Sequence, residues 1–292
     1  MNLPKIEIDH RFRLQQKIGK GSFGCIYSAI DILTNTQVAV KIEPNNKNEK
    51  GMKPSKRSHL YYEGRIYYKI KKHYPDGISS LPTFLWCGFS NRYDFLVLPL
   101  YSINLRVYLK KQDWNRKNWS LLAKNSLEGV QDLHRVEILH RDIKPENFVF
   151  NTTHTGLVLI DFGLSQCINS SKKKNSWVGT PKFASPWIGE NKPYTYLDDL
   201  SSWWIMMLWC WNRGKLPWTC KIGRQTLTRQ ETRIELNYLQ QKKKSWLVSF
   251  FNHHDLSKVT TLPTWFIDKG KRIHQSLLVV SSDYDCCNPL SI

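Results

Sequence analysis

Negative charge is scarce in this chain: 24 Asp and Glu stand against 43 Lys and Arg, a formal net charge of +19. Such a balance favours anionic partners, whether nucleic acid, a membrane surface, or acidic or phosphorylated protein, and does not choose among them. Long apolar runs are also missing. The longest, Trp203 to Trp211 (WWIMMLWCW), is nine residues, too short to span a bilayer, and reads as a buried helix. The opening MNLPKIEIDHRFRL has no apolar core of a signal peptide. Seven cysteines, at 25, 87, 167, 210, 220, 286 and 287, form no C-x-x-C pair and no zinc spacing. A scattered, odd set suits a reducing compartment, so the expectation is an intracellular, soluble chain of the cytoplasm or nucleus. There is no internal repeat. No RRM, KH, zinc-finger or helix-turn-helix signature accompanies the basic charge. The paired His253-His254 lacks a third ligand at useful spacing and reads as exposed.

What is present is globular: 41% hydrophobic residues, 13% aromatic and 12 tryptophans in 292 residues, enough for one large domain or two lobes. Residues 12 to 42 predict strand, turn, strand, strand. Residues 43 to 58 are polar and basic with Gly and Pro, a loop. HLYYEGRIYYKIKKH carries apolar residues at 62, 66 and 70, a helical spacing, with Lys at its C-terminal end, where the macrodipole favours it. Two strands follow, near TFLWCGF and DFLVLPL. NLRVYLKK and NWSLLAKNSLEGVQDLHRVE predict helices, 138–163 short strands and loops, and about 199–211 the buried helix. The lysine runs 172–174 and 242–244 read as solvated loop. The sum is an α+β chain: a small antiparallel β-rich N-terminal lobe at about 10–98, a junction at about 99–102, and a larger mainly helical lobe at about 103–292.

Ile18-Gly19-Lys20-Gly21-Ser22-Phe23-Gly24-Cys25-Ile26 is a G-x-G-x-x-G run, whose glycines let backbone approach a polyphosphate. Alone it is a weak signal, because it also marks dinucleotide sites and plain hairpins. A dinucleotide site needs a strand before it and a helix after it; here another strand follows, so the hairpin form fits. Lys41 in VAVKI, seventeen residues after Gly24, matches the V-A-I-K pattern whose lysine meets nucleotide phosphates. A single strand lysine is usually an exposed edge residue; the pairing with the glycines changes its reading. Glu63, on the helix that follows, is placed to hold that ammonium.

His140-Arg141-Asp142-Ile143-Lys144-Pro145-Glu146-Asn147 matches H-R-D-L-x-x-x-N with Ile for Leu, and Asp161-Phe162-Gly163 follows nineteen residues after Asp142. Phosphoryl transfer asks little covalent help of a protein; it asks for positioning and charge neutralisation. Asp142 can orient a hydroxyl and accept its proton. Asn147 and Asp161 can hold Mg²⁺, and Lys144 can neutralise charge on the transferred group. Each alone could be a turn residue. Five motifs in order, at sensible intervals, are not coincidence.

These motifs resemble the eukaryotic protein kinases over roughly residues 12 to 220, and within them the casein kinase 1 group. HRDIKPENF, IDFGLS, VGTPKFAS (178–185), DDLSS (198–202) and RGKLPW (213–218) carry that likeness. VGTPKFAS is also similar to the tau-tubulin kinase branch, so the subfamily stays open. The resemblance implies a bilobal fold with ATP between the lobes. Its nucleotide contacts would be Ile18 to Gly24, Ile26, Ala39, Lys41, Leu98 as gatekeeper, and Leu100 and Tyr101 in a hinge from Pro99 to Ser102. It implies Mg²⁺ at Asn147 and Asp161, catalytic roles for Asp142, Lys144, Asn147, Lys41 and Glu63, and bracing of the catalytic loop by Asp199. Lys144 and Thr180 imply transfer to serine or threonine. Lys182, with Lys221 or Arg224, implies a basic site for acidic or pre-phosphorylated protein substrates, less selective than one built on arginine. Arg141 implies a neighbour for a phosphorylated loop, with Ser170, Ser171, Ser176 and Thr180 in the right segment. A monomer is implied as well.

Several positions depart from the pattern. The loop at 43–58 is long, Pro99 removes a backbone donor from the hinge, and the A-P-E ending is Ala184-Ser185-Pro186, without the glutamate. After residue 218 the likeness is reduced to LPTWF and SDYD. Two other classes remain in view: a catalytically silent pseudokinase scaffold, and a basic protein associated with nucleic acid.

Overall fold

β-Strand alternation in the N-terminal third builds one six-stranded antiparallel sheet. The computed structural model describes residues 7–20, 24–44, 58–89, 92–111, 116–168, 178–188, 193–218, 229–252 and 262–279. Two compact units emerge: Met1–Ile103 with Val149–Ser165, and Asn104–Phe148 with Gln166–Ile292.

In the first unit, β1 (Glu7–Ile8), β2 (Phe12–Lys20), β3 (Cys25–Asp31), β4 (Thr36–Pro44), β5 (Trp86–Phe89) and β6 (Tyr93–Pro99) pair in the order β1-β2-β3-β4-β6-β5. Side chains alternate between faces along each strand. Val38 and Val40 therefore join Ile8, Phe12, Ala29, Phe95 and Val97 in one buried cluster. Ala39 and Lys41 point the other way and sit opposite Leu98 and Leu96 in register. Helix α1 (His59–His73) starts at Ser58, whose hydroxyl accepts the Tyr61 N–H at 3.1 Å, and carries Lys71, Lys72 and His73 in its last turn. Its buried face is Leu60, Glu63, Gly64, Ile66, Tyr67 and Ile70. Tyr62, expected inside, is 54% exposed. Glu63 takes an interior place because it has a buried partner there. In the returning segment, Phe150 N–H donates to Ile103 O (3.0 Å), Phe150 O accepts from Ser102 N–H (2.9 Å), and β8 (Phe148–Phe150) pairs with β9 (Leu157–Leu159).

The second unit is helical: α2 (Leu105–Lys111), α3 (Arg116–Arg135), α4 (Tyr196–Trp211), α5 (Arg229–Asn252) and α6 (Thr264–Val279), with a small pair of β7 (Ile138–Leu139) and β10 (Gln166–Cys167). Every residue of α4 from Asp198 to Trp211 is buried. A helix that is apolar all round belongs in the middle. Two of its tryptophans bury area and still satisfy their indole N–H groups. Trp203 Nε1 donates to Ser126 Oγ on α3 (2.9 Å) and Trp204 Nε1 to Phe266 O on α6 (3.0 Å), where the Trp204 and Phe266 rings stack at 5.2 Å. Trp119 of α3 reaches Met207 O of α4 (3.1 Å). The run 242–244 is not solvated loop: it lies in α5, with Lys243 only 1% exposed. Among the described residues, no helix is long and apolar enough to cross a membrane.

Candidate functional site

In the first unit, the G-x-G-x-x-G run lies between two antiparallel strands, with Gly19 opposite Ile26 and Lys20 opposite Cys25. That geometry fits the hairpin form and not a strand-to-helix dinucleotide turn. Ile18, Gly19 and Lys20 end β2, and Ile26 is on β3. Gly21, Ser22 and Phe23 lie outside the described residues. Gly24 has a local reason to be glycine: a Cβ there would lie 2.0 Å from Ile42 O. Ala39 is on β4, Leu98 on β6, and Leu100 and Tyr101 just beyond it. Burial pushes the Tyr101 phenol up to about 12.

Lys41 ties this unit's polar centre together. Its Nζ donates to Glu63 Oε2 at 2.7 Å and to Asp161 Oδ1 at 2.8 Å. Glu63 is nearly sealed, at 2% side-chain exposure, whereas Asp161 is 43% exposed. Burial alone would lower the Lys41 ammonium; the Glu63 and Asp161 carboxylates outweigh it and hold it raised, so it stays charged. Burial pushes the Glu63 carboxyl up, with Lys41 pulling against it. Behind Glu63, Tyr67 packs on Phe162 at 4.8 Å between ring centroids. Asp161 takes φ +68°, a left-handed conformation that is costly for a non-glycine residue and commonly kept at working sites.

The second unit carries the other cluster. The Asp142 carboxylate, 8% exposed, accepts Thr180 Oγ1–H at 2.7 Å on one oxygen and Lys144 Nζ at 2.5 Å on the other. Asn147, closing a 3-10 turn at Pro145–Asn147, donates Nδ2–H to Asp142 O (2.9 Å). That bond orients its amide so that Oδ1 is the atom left for a cation. Asp142 N–H donates to His140 Nδ1 (3.3 Å), which assigns the ring proton to Nε2. Gly179, at φ +92°, lets the chain pass where a Cβ would lie 2.4 Å from Arg141 O.

Asp199, fully buried on α4, holds this loop from beneath. It accepts His140 N–H (2.7 Å) and Arg141 N–H (2.9 Å), together with Tyr194 O–H (2.8 Å) and His134 Nε2 (3.0 Å). Burial alone would raise its carboxyl; His134 and the other donors hold it below the usual range. Arg141 stands at φ +70°, its Nη1 on Gln166 Oε1 and its Nε buried without an acceptor among the described residues. Lys182 places its ammonium 5.0 Å over the Trp209 ring. Ser170, Ser171, Ser176, Lys221, Arg224, His253 and His254 lie outside the described residues.

A strand lysine bonded to a helix glutamate and to the Asp-Phe-Gly aspartate, beside a glycine hairpin, is how a kinase prepares a lysine for phosphates. The sequence matches the protein kinase domain family over residues 12–265. The chain belongs to the protein kinase family. The match extends well past residue 220 and takes in α5 and the start of α6. Protein kinases are phosphotransferases that act on protein substrates, and as a family they use ATP and Mg²⁺.

Asn147 and Asp161 suit Mg²⁺ chemically. Both offer hard oxygen atoms, and this ion is commonly held by one or two side-chain oxygens together with substrate phosphates. Sequence reading missed His134 and Tyr194, the partners of Asp199, because neither stands in a motif. It also missed Gln240 and Lys243 of α5, where no helix was expected.

Proposed function

We propose that this kinase is catalytically active and of casein kinase 1-like type, transferring the ATP γ-phosphoryl group to serine or threonine of acidic or pre-phosphorylated proteins. The observation that carries the reading is the doubly held carboxylate of Asp142. Thr180 and Lys144 each engage one oxygen, so the base has a fixed direction and a cation beside it. In the reaction, Asp142 orients the acceptor hydroxyl and takes its proton, and Lys144 offsets charge building on the transferred group. Lys41, held by Glu63, binds phosphate oxygens. Asn147 and Asp161 would each offer a side-chain oxygen to Mg²⁺, which would neutralise phosphate charge.

The preference for anionic substrates rests on the surroundings of Trp209. Lys182 lies over its ring, and the turn with Arg213, Gly214 and Lys215 closes beside it through Gly214 N–H on Trp209 O (2.8 Å). Trp209 Nε1 is a buried N–H without an acceptor among the described residues, a donor that an anion would satisfy.

The test follows phosphate transfer from Mg-ATP to casein and to two matched peptides, one phosphorylated three residues before the acceptor, alongside Asp142→Asn and Lys41→Met. Transfer lost in both variants and faster on the primed peptide supports the whole reading. Equal rates on both peptides remove the anion preference. Full activity in Asp142→Asn removes the assigned base.

A further inference from the structure

The segment from Thr180 to Ile188 is held by its backbone carbonyls. Lys243 Nζ donates to Pro181 O and to Ala184 O, each at 2.7 Å. Gln240, three residues earlier on the same face of α5, donates through Nε2 to Ile188 O. Trp218 Nε1 reaches Lys182 O at 3.3 Å, and the Trp218 ring meets Trp246 of α5 edge-on at 5.5 Å. On the amide side, Phe183 and Ala184 N–H both return to Thr180 O at 3.0 Å. The start of this stretch is the residue whose hydroxyl binds Asp142.

Removing an ammonium from water is costly, and a leucine at 243 would pack there without that cost. Lys243 nonetheless sits between Leu239 and Leu247 on the buried face of α5, at 1% exposure. It gives two donors to a stretch with no carboxylate at 184–186 to anchor it. Because carbonyls and not side chains are gripped, the hold fixes the path of the chain whatever residues it displays.

We propose that Lys243 and Gln240 are positioning residues: a carbonyl clamp from α5 that sets the path of 180–188, and through it the protein-substrate affinity of the kinase. The proposal rests on the kinase reading above. It assigns to α5 a part in substrate selection that acts through the segment bearing Thr180 and Lys182.

The test uses the full chain with Lys243→Met, Lys243→Arg and Gln240→Met. Steady-state transfer to a casein peptide should show KM for the peptide rising about tenfold in Lys243→Met and about threefold in Gln240→Met, with KM for ATP unchanged. Lys243→Arg, which keeps charge and donors, should recover most of the loss. Hydrogen exchange should quicken at the backbone amides of 182–185 and 187–188 in Lys243→Met and stay slow in α4. Loss of rate that follows only the folded fraction, with both KM values unchanged, overturns the proposal. Should Lys243→Met not fold, Gln240→Met decides by the same KM comparison. If the wild type transfers no phosphate, the kinase reading fails by itself, and hydrogen exchange still decides whether the clamp exists.

Discussion

Arg141 N–H lies 2.9 Å from Asp199 Oδ1, and the backbone that presents it is left-handed, at φ +70°. The carboxylate on α4 thus holds in place a conformation that a non-glycine residue otherwise avoids. Asp199→Asn would turn an amide N–H toward donors. Unfolding in urea should show a loss of roughly 2–4 kcal/mol, and phosphate transfer should fall with it. A variant as stable and active as the wild type would remove Asp199 from its bracing role.

Glu63→Gln keeps the shape of the α1 side chain and removes its charge. Lys41 then has Asp161 as its carboxylate partner here, and its ammonium loses the fixed position between the two. Transfer should fall by roughly 10–100-fold, as expected when a reacting geometry slips by about an ångström. Circular dichroism should stay that of the wild type.

Gly24→Ala places a methyl group 2.0 Å from Ile42 O, against backbone that cannot easily give way. A loss of about 1–3 kcal/mol is expected, seen as a lower melting temperature before any effect on nucleotide binding is considered. An unchanged melting temperature would show that the start of β3 shifts freely.

Asp198 and Asp199, neighbours on α4, titrate in opposite senses. Burial pushes the Asp198 carboxyl up to about 6, against the bonds it accepts from Ser185 and Thr195. The folded state therefore holds that proton more tightly than the unfolded chain, and stability falls as pH rises from about 4 to about 6. Asp199 is held low, so its contribution is present above the unfolded value and lost as pH falls below about 4. Asp198→Asn removes the first effect. The melting temperature of the variant relative to wild type should climb between pH 4 and pH 6 and then level. A difference that stays constant across that range would contradict the assignment.

The legible parts of this chain were those with a period or a motif. Val38 and Val40 alternate with Ala39 and Lys41, so β4 and the facing of Lys41 could be read directly. The buried helix announced itself through WWIMMLWCW. The inward face of α1 was misjudged at Tyr62 because a polar residue, Glu63, occupies an interior position. α5 escaped for the same reason. Leu239, Lys243, Leu247 and Phe251 form one buried stripe at a spacing of four, and the lysine in its middle reads as surface. The grip of Tyr194 and His134 on Asp199 was not legible either, since it depends on which donors a fold brings to a sealed carboxylate.

The tryptophans are unevenly shared. Of the ten among the described residues, only Trp86 falls in the unit made of Met1–Ile103 and Val149–Ser165; the other nine belong to the helical unit. Intrinsic fluorescence will therefore report the melting of the helices around α4 and remain almost blind to the six-stranded sheet. A single emission transition would not establish that both units unfold together. Trp86, which donates Nε1–H to Asp9 at 2.9 Å, gives a way to listen to the other half. The difference between wild type and Trp86→Phe isolates its signal, and comparing the two midpoints would show whether this kinase melts as one body or as two.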